Sequence, residues 1–302
     1  MRTSRPALAM LVGLVLLALL GAVSVAQDDT WPKHELYVVY GDDDPDRQYM
    51  HIYMPEPREQ PRPALIYFHG GGLEIGVTPD DARLVGEDTA GGRFGEPYVT
   101  VIAGYRLLDQ ATGEVRWPAQ LHDAQRVVRW VRAHADEYNV DPERICSIGD
   151  SSGGHLAAML GVMDTVDDSD PELAGISSRV DCAIAIAGVY DLTIPLDESV
   201  RDDWYEAIPV AEIEADPTIA LEASPVFHVD GDTVPMLILH GNRDDVAPIE
   251  QSRNLADALG AAGIEFAYAE LPTGHGAPEY FQEQGTFELI EAFLNYQVHP
   301  EQ

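Results

Sequence analysis

The chain has 302 residues, of which 45% are hydrophobic and 23% charged, and its 52 acidic side chains against 18 Lys and Arg give a formal charge of −34. This length suits one large α/β domain or two small ones, and the apolar fraction excludes a disordered chain. Two cysteines exclude a disulfide scaffold or a Cys-rich zinc module, and the acidic balance excludes nucleic-acid binding as the main function.

The N-terminal segment has the layout of a secretory signal peptide. Arg2 and Arg5 make a positive start, Ala7–Val23 is an uncharged run rich in Leu and Val, and residues 24–26 (Ser-Val-Ala) offer a small-residue cleavage site. We expect residues 1–26 to be removed, which predicts a secreted or periplasmic protein. An uncleaved anchor is the alternative, because the run approaches the ~20 residues of a spanning helix. No second run is long enough to cross a bilayer, so we expect no membrane contact after cleavage.

Cleavage would leave 276 residues with a formal charge of −36, because the removed segment carries two arginines and no acid. Lys33 is the only lysine, and every other cationic side chain is Arg. Such a surface repels itself in dilute buffer and is screened by salt. We therefore hypothesise a salt-adapted, halophilic protein, with ordinary acidic composition bias as the alternative.

The strand pattern begins with a hairpin. Glu35–Val39 and Gln48–Met54 are predicted strands on either side of the turn-rich residues 41–46. Short apolar runs without alternation follow, as expected of strands buried on both faces of a parallel sheet. They are Ala64–Phe68, Val99–Ala103, Ile145–Ile148, Cys182–Ala187, Met236–Leu239 and Phe266–Glu270.

Helical segments separate several of these runs. The clearest begins at Pro118 and carries one apolar stripe, a second follows Ser151, and a third spans Glu250 to Leu259 with Gly260 as its predicted C-cap. The residues of the first stripe are Leu121, Ala124, Val128, Val131 and Ala135. This alternation after a leading antiparallel hairpin predicts a doubly wound α/β fold with a mostly parallel sheet. The Pro-, Asp- and Glu-rich stretch 192–235 breaks the rhythm and is predicted to be a small lid insertion.

The two cysteines fall inside predicted strands. A disulfide between Cys146 and Cys182 could form in an oxidising compartment. We favour buried free thiols, because free Cys is among the most buried residue types.

The segment 144–154 predicts a strand, a tight turn and a helix, and Gly149-x-Ser151-x-Gly153 within it has the spacing of a nucleophile elbow. In such a turn, small residues two positions either side let strand and helix pass closely, and the serine hydroxyl stands at the sheet edge before a helix N-terminus. A glycine-rich turn without catalytic function is the alternative.

A second glycine motif, His69-Gly70-Gly71-Gly72, follows the strand Ala64–Phe68 directly. Three glycines leave backbone N–H groups unshielded, which suits an oxyanion hole. A phosphate-binding loop is the alternative, but no Lys and Ser/Thr follow at Walker spacing.

A serine nucleophile needs a base, and the base needs an orienting acid. His275 lies in a loop after the last predicted strand, and Asp244 and Asp245 follow the strand before it. The order Ser151, Asp, His275 is the one expected for this architecture. Taken singly, His275 could cap a turn and the aspartates could be two acids among many.

With these motifs the chain resembles the α/β-hydrolases of the esterase/lipase type, which include hormone-sensitive-lipase-like enzymes and bacterial feruloyl and acetyl esterases. The resemblance covers most of residues 35–295. It rests on His69–Gly72, Tyr105-Arg106-Leu107, Trp117-Pro118-Ala119, Asp141-Pro142-Glu143-Arg144, Gly149–Ala158, Ser224-Pro225, His240-Gly241-x-x-Asp244 and Gly274-His275-Gly276.

The resemblance implies that Asp244, rather than Asp245, is the acid, and that the amides of Gly71, Gly72 and Ser152 form the oxyanion hole. Residues 27–302 would be the catalytic domain of a secreted serine carboxylic-ester hydrolase. It would act through an acyl-enzyme on short-chain esters or on acetyl and feruloyl groups of polysaccharides. A peptidase or amidase on the same fold, and a catalytically silent binding module, are the alternatives.

Substrate contacts are expected from Trp204 and Tyr205 in the acidic stretch, and from Tyr105 and Trp117, for which core packing is equally compatible with the sequence. We expect His69 to fix the glycine loop and His240 to end a strand. No metal-ligand motif occurs, so neither a metal nor another cofactor is expected. The oligomeric state is left open.

Overall fold

A computed structural model describes residues 32–78, 82–108, 115–166, 169–194, 216–276, 280–281 and 284–298. Within them, eight strands form one sheet in the order β1-β2-β4-β3-β5-β6-β7-β8. Their bounds are β1 Lys33–Val39, β2 Tyr49–Met54, β3 Arg62–Phe68, β4 Val99–Ala103, β5 Val140–Asp150, β6 Cys182–Ile186, β7 Met236–Gly241 and β8 Phe266–Leu271.

The sheet has an antiparallel start and a parallel body. β1 pairs with β2, and β2 with β4, in antiparallel fashion, and all other neighbours are parallel. The predicted hairpin and the predicted mostly parallel sheet are both confirmed. Because the carboxyl ends of parallel strands meet at one edge, the loops after β3, β5, β7 and β8 converge there.

Helices flank the sheet on both faces. Among the described residues they are α1 Asp88–Ala90, α2 Ala119–Ala133, α3 Ala135–Tyr138, α4 Ser152–Val162, α5 Thr218–Glu222, α6 Glu250–Ala262 and α7 Gln284–Val298, with a π-helical turn at Ala82–Glu87 and a 3₁₀ turn at Pro225–Phe227.

Three helix boundaries differ from the prediction. α2 begins at Ala119, with Pro118 as its N-cap. α6 continues past Gly260 to Ala262, and its C-cap Gly263 has a φ of 74°, the left-handed conformation that glycine adopts without strain. α2 ends at Ala133, so Ala135 opens the next helix. All five stripe residues, Ala135 included, are buried in the same core layer as predicted.

The core lies in two apolar layers, one on each face of the sheet. Alternate residues of β3 enter different layers, since Ile66 belongs to one and Leu65 to the other. The first layer packs α2, α4 and α6 against the sheet, and the second packs α7. Successive side chains of a strand point to opposite faces of the sheet, and here both faces are covered by apolar layers. The apolar runs therefore show no alternation between apolar and polar residues in the sequence.

Cys146 and Cys182 form a disulfide, so the favoured expectation of free thiols is wrong. Both residues are fully buried, as predicted. They are direct register partners in the parallel pair β5–β6, and their Cα atoms lie 4.7 Å apart. That distance is within the range that a disulfide spans, and it arises from a register that neither strand shows in isolation.

Two predicted segments lie wholly or partly outside the described residues. The signal segment 1–26 is one. Of the lid stretch, residues 195–215 are outside, whereas α5 and the 3₁₀ turn lie in its described C-terminal part. None of the helices in the described ranges is long and apolar enough to cross a membrane.

Candidate active site

Ser151 lies in a strained turn between β5 and α4. Its φ of 52° and ψ of −121° are rarely adopted by a residue with a side chain. The Ser151 N–H donates to Ile186 O at 2.8 Å, and the His155 N–H donates to Ser151 O at 3.0 Å. The turn is therefore held from β6 on one side and from α4 on the other.

The glycines around Ser151 have a steric cause. A Cβ atom on Gly153 would lie 1.8 Å from the carbonyl oxygen of Phe68, and one on Gly149 would lie 2.3 Å from the oxygen of Gly153. The start of α4 thus lies so close to β5 and to the end of β3 that neither position has room for a side chain. The glycine spacing that predicted the elbow is required by these two contacts.

Three distant side chains form one hydrogen-bonded chain at the sheet edge. His275 Nε2 lies 2.9 Å from Ser151 Oγ, and His275 Nδ1 lies 2.8 Å from Asp244 Oδ2. Asp244 Oδ1 accepts the N–H groups of Val246 at 2.9 Å and Ala247 at 2.8 Å. The structure therefore brings Ser151, His275 and Asp244 together. The carboxylate that contacts His275 belongs to Asp244, whereas the neighbouring Asp245 is exposed.

The Asp244 carboxyl group is fully buried but remains anionic. Burial raises its pKa, but the hydrogen bonds from His240 and His275 outweigh burial and hold the pKa well below its usual value. An ionised carboxylate accepts a hydrogen bond from the Nδ1–H of His275. This leaves Nε2 with the lone pair that faces the hydroxyl of Ser151.

The loops that carry Asp244 and His275 are tied to each other by Tyr280. Its hydroxyl accepts the N–H of Gly241 at 2.6 Å and donates to Gly274 O at 3.0 Å. A Cβ on Gly241 would lie 2.3 Å from the same Gly274 oxygen, so the two loops are in backbone contact. Sequence reasoning did not identify Tyr280, and its only signal there is an aromatic residue shortly after the histidine.

The glycine loop after β3 lies against the elbow. A Cβ on Gly70 would be 3.2 Å from Ser151 Cβ, and the Leu73 N–H lies 3.4 Å from Ser152 Oγ. Gly71 and Gly72 have φ values of 110° and 63°, which explains why glycine occupies both positions. Neither of their N–H groups donates to a backbone carbonyl among the described residues.

Tyr105 supports this loop from behind. It is 1% exposed, its ring stacks on that of His69 at 4.3 Å between centroids, and its hydroxyl donates to His69 O at 2.7 Å. Its burial contradicts the predicted substrate contact, because a side chain without accessible surface has none to offer a ligand. His69 Nδ1 lies 2.7 Å from Gly70 O, in keeping with its predicted role of fixing the loop.

Of the other three residues predicted to contact substrate, only Trp117 lies within the described residues. Trp117 is half-buried, and its ring meets that of His155 edge-on at 5.2 Å, so it keeps some surface for a ligand. Burial lowers the pKa of His155 to about 4, so this imidazole is neutral near pH 7. Trp204 and Tyr205 lie outside the described residues, and their substrate contact stays a prediction.

His240 lies near the end of β7, as predicted, and its ring is fully buried. Nε2 lies 2.9 Å from Ala247 O and 3.2 Å from Asp244 Oδ2, and Nδ1 lies 2.6 Å from Ser252 Oγ. The described part of the chain holds no group of three His, Cys, Asp or Glu side chains arranged to bind a metal ion.

Comparison with known proteins agrees with this geometry. The BD-FAE family matches residues 50–259, more than half of the chain. The chain belongs to the BD-FAE family. Its fold is that of an α/β-hydrolase of the esterase type, as the resemblance implied.

Relatives of this BD-FAE member are named as esterases. The chain is 31% identical over 278 residues to Esterase LipC of Mycobacterium tuberculosis, covering 88% of this chain and 66% of LipC. Esterase LipQ of the same organism is 33% identical over 219 residues, covering 71% of this chain and 50% of LipQ. The chain thus spans between half and two thirds of the length of these relatives.

Solved structures of esterases superpose on most of the chain. A truncated carbohydrate esterase from gut microbiota matches with a TM-score of 0.75 and 27% identity, over 89% of this chain and 98% of that one. Thermogutta terrifontis esterase 2 phosphonylated by sarin matches with a TM-score of 0.71 and 28% identity, over 89% of this chain and 95% of that one.

Proposed function

We propose that this protein is a serine carboxylic-ester hydrolase that acts through an acyl-enzyme. The observation that supports this most is the unbroken hydrogen-bond chain from Ser151 Oγ through His275 to Asp244 Oδ2, at the carboxyl edge of the sheet. A hydroxyl becomes an effective nucleophile when a neutral imidazole accepts its proton in the transition state.

The first half of the reaction forms the acyl-enzyme. As Ser151 Oγ attacks the ester carbonyl carbon, its proton passes to His275 Nε2, and the carbonyl oxygen becomes an oxyanion. Asp244 stabilises the resulting imidazolium through Nδ1. The imidazolium then protonates the departing alcohol oxygen as the C–O bond breaks. Water repeats the sequence on the acyl group, with His275 again as base, and releases the acid and Ser151.

The oxyanion is proposed to bind the N–H groups of Gly71, Gly72 and Ser152. Gly71 and Gly72 do not use theirs within the described backbone, and Ser152 is the first residue of α4, where helical N–H groups lack an intrahelical acceptor. Donors fixed before the charge develops cost no reorganisation during the reaction. Removing one typically costs about 10²–10³ in kcat.

For the substrate, we propose short-chain esters, including acetyl or feruloyl groups on neutral polysaccharides. One of the superposed structures is that of a carbohydrate esterase, which supports a carbohydrate-linked ester. A formal charge of −34 disfavours polyanionic substrates at low ionic strength, and salt weakens this effect. A peptidase or amidase on the same fold is a second candidate.

We further propose that the protein is exported, because residues 1–26 have the order of a signal peptide: charged start, apolar run and small-residue exit. Mass spectrometry of the protein recovered from its native host tests this. An N-terminus at Gln27 is the expected result, and retention of the apolar run would contradict cleavage.

Labelling by a fluorophosphonate probe tests the nucleophile. We expect one labelled site, lost in Ser151→Ala and retained in Ser147→Ala, whose hydroxyl is buried in β5 and bonded to Ala157 O at 3.2 Å. Labelling that persists in a folded Ser151→Ala protein would contradict the proposal. The catalytically silent module predicts no labelling at all.

A substrate series tests the chemistry. p-Nitrophenyl acetate, butyrate and octanoate define the acyl length, while methyl ferulate and acetylated xylan test the carbohydrate-linked class. p-Nitroacetanilide tests the amidase alternative. We expect turnover of the acetyl ester and little of the anilide, and the reverse order would favour the amidase.

A further inference from the structure

His240 contacts the same carboxylate oxygen as His275. Asp244 Oδ2 lies 2.8 Å from His275 Nδ1 and 3.2 Å from His240 Nε2, and all three groups have little or no exposure to solvent. Two imidazoles therefore converge on one oxygen, one from the end of β7 and one from the loop that follows β8. A histidine that only filled space at the end of a strand would not need to direct its Nε2 at the Asp244 carboxylate.

The partners of the His240 ring assign its proton. Nε2 faces only acceptors, Ala247 O at 2.9 Å and Asp244 Oδ2 at 3.2 Å, so Nε2 carries the hydrogen. Nδ1 lies 2.6 Å from the Ser252 hydroxyl. This assignment makes His240 an N–H donor that shares its Nε2 hydrogen between a carbonyl and a carboxylate, a common three-centre arrangement.

With that donor counted, every side of the buried carboxylate is satisfied. Oδ1 accepts two backbone N–H groups, from Val246 and Ala247, and Oδ2 accepts two imidazole N–H groups. Because Ala247 also supplies its carbonyl oxygen to His240, the contacts form a closed ring around Asp244. A carboxylate held by four donors has one orientation and reduced basicity.

We propose that His240 is a positioning residue for the esterase reaction: it fixes Asp244 Oδ2 opposite His275 and limits how strongly that oxygen holds the His275 N–H. This rests on the proposed function. Without the His240 donor, Oδ2 becomes more basic and stabilises the His275 imidazolium more. The base then loses its proton only at higher pH, and the acid limb of the kcat/KM profile moves upward.

Other ionisable groups near the site are present in every His240 variant. Tyr190 lies within electrostatic range of Asp244, Asp150 and Tyr280. Glu270 lies beside His240 in the β7–β8 register, where Arg253 of α6 neutralises it at 2.8 Å. These charges are common to all the variants below, so differences between variants report the donor at position 240.

Two substitutions separate the two sides of the ring. In His240→Asn the amide occupies the place of Nδ1, keeps a partner in Ser252 and leaves Asp244 without its donor. In His240→Gln the amide nitrogen reaches the place of Nε2 and can donate to Asp244 and Ala247. Both shorten or reshape the same buried ring, so both should lower the melting temperature similarly.

The expected result is an acid limb of kcat/KM raised by about half a pH unit in His240→Asn, and near the wild-type position in His240→Gln. Gln251→Met is the structural control, because Gln251 is buried on α6 and bonds the N–H groups of Tyr190 and Asp191 without touching Asp244. It should lower stability and leave the limb unmoved. A wild-type limb in folded His240→Asn, or equal shifts in Asn and Gln, would overturn the proposal.

NMR titration of the His275 ring in ¹⁵N-histidine-labelled protein provides a readout that does not depend on turnover. The titration midpoint should rise in His240→Asn and not in His240→Gln. If the wild type hydrolyses no ester, the proposed function fails while this titration still tests the contact. If the ester is hydrolysed and the midpoint is the same in both variants, only the role of His240 fails.

Discussion

The hydroxyl of Tyr280 accepts the N–H of Gly241 at 2.6 Å and so links the last residue of β7 to the histidine loop, whose Gly274 oxygen it meets at 3.0 Å. Tyr280→Phe leaves the buried N–H of Gly241 and the part-buried carbonyl of Gly274 without this partner, which costs roughly 1–3 kcal/mol. The loops of Asp244 and His275 would lose their shared anchor. We expect a lower melting temperature and a kcat reduced by about tenfold with little change in KM.

The control for this change is Tyr268→Phe, because the Tyr268 hydroxyl bonds two exposed side chains, Glu270 at 3.0 Å and Arg253. It should change stability by less than about 0.5 kcal/mol. Equal effects of the two substitutions on kcat would show that Tyr280 does not position the loops.

Asp244→Asn and Asp245→Asn form a matched pair of neighbouring carboxylates. The Asp244 side chain is buried and hydrogen-bonded to His275 Nδ1, whereas Asp245 is exposed. An amide at 244 can present N–H to the imidazole and so favour the wrong tautomer. We expect kcat to fall by about 10³–10⁴ in Asp244→Asn and less than about twofold in Asp245→Asn, measured on p-nitrophenyl acetate. A larger loss at 245 would contradict the assignment.

The turn around Ser151 could be predicted from the sequence because most of its causes are local. Gly149 is required by the contact between β5 and α4, which adjoin in the chain, and Gly71 and Gly72 by their own backbone angles. Gly153 is required by the approach of α4 to Phe68 at the end of β3, which is a contact between distant parts of the sequence. Steric and backbone-angle requirements of this kind are visible in the sequence as glycines at a fixed spacing. The choice of Asp244 over Asp245 came only from the family resemblance, since both aspartates follow the same strand.

The contacts that were missed depend on which elements become neighbours. The disulfide follows from the register of β5 against β6, and Cys146 and Cys182 are separated by 36 residues of sequence. Tyr280 joins two loops through backbone atoms, which carry no residue signature. Tyr105 was misassigned for a similar reason, because its burial depends on the glycine loop that folds over it.

The disulfide is expected to stabilise the fold rather than to take part in the reaction. A cross-link that spans 36 positions removes about 4 kcal/mol of unfolded-state entropy in the chain-entropy model. Cys146→Ala combined with Cys182→Ala should therefore lower the urea midpoint markedly while kcat/KM in dilute buffer changes little. Thiol titration of the unreduced wild-type protein under denaturation should find no free thiol. An unchanged midpoint would contradict this account.

The acidic composition predicts salt-dependent stability. With 52 acidic and 18 Lys and Arg side chains, self-repulsion opposes folding until counterions screen it. The melting temperature should rise between about 0.1 M and about 2 M NaCl, where the screening length falls from roughly 10 Å to a few ångströms. Sodium sulfate at matched ionic strength separates screening from exclusion effects. A melting temperature that is flat or falling across the NaCl series would contradict salt adaptation.

Two aspartates predict opposite pH effects on stability. Burial raises the pKa of Asp181 to about 6, against an ordinary 3.8, although its carboxylate accepts the Ile145 N–H at 2.8 Å. The folded state holds this proton more tightly than the unfolded state. The contribution of protonated Asp181 to the free energy of unfolding is therefore fully present below pH 3.8 and is lost as the pH rises through about 6.

Asp181→Asn should then raise the melting temperature at about pH 8, where the wild type carries a disfavoured charge, and have little effect at about pH 4. The gain should be only a few degrees, because the side chain is 42% exposed and water screens the charge. The amide oxygen can still accept the Ile145 N–H, so that hydrogen bond is preserved.

Asp164→Asn is the opposite case. Burial raises the pKa of Asp164, but hydrogen bonds from Thr165, Ser177 and Ser178 outweigh it and lower the pKa to about 2. Its stabilisation is present above 3.8 and is lost as the pH falls through about 2. The Asn variant should be less stable than the wild type at about pH 7, and this difference should shrink toward pH 3. If both Asn variants shifted stability in the same direction at pH 7 to 8, the assigned environment of Asp181 or of Asp164 would be wrong.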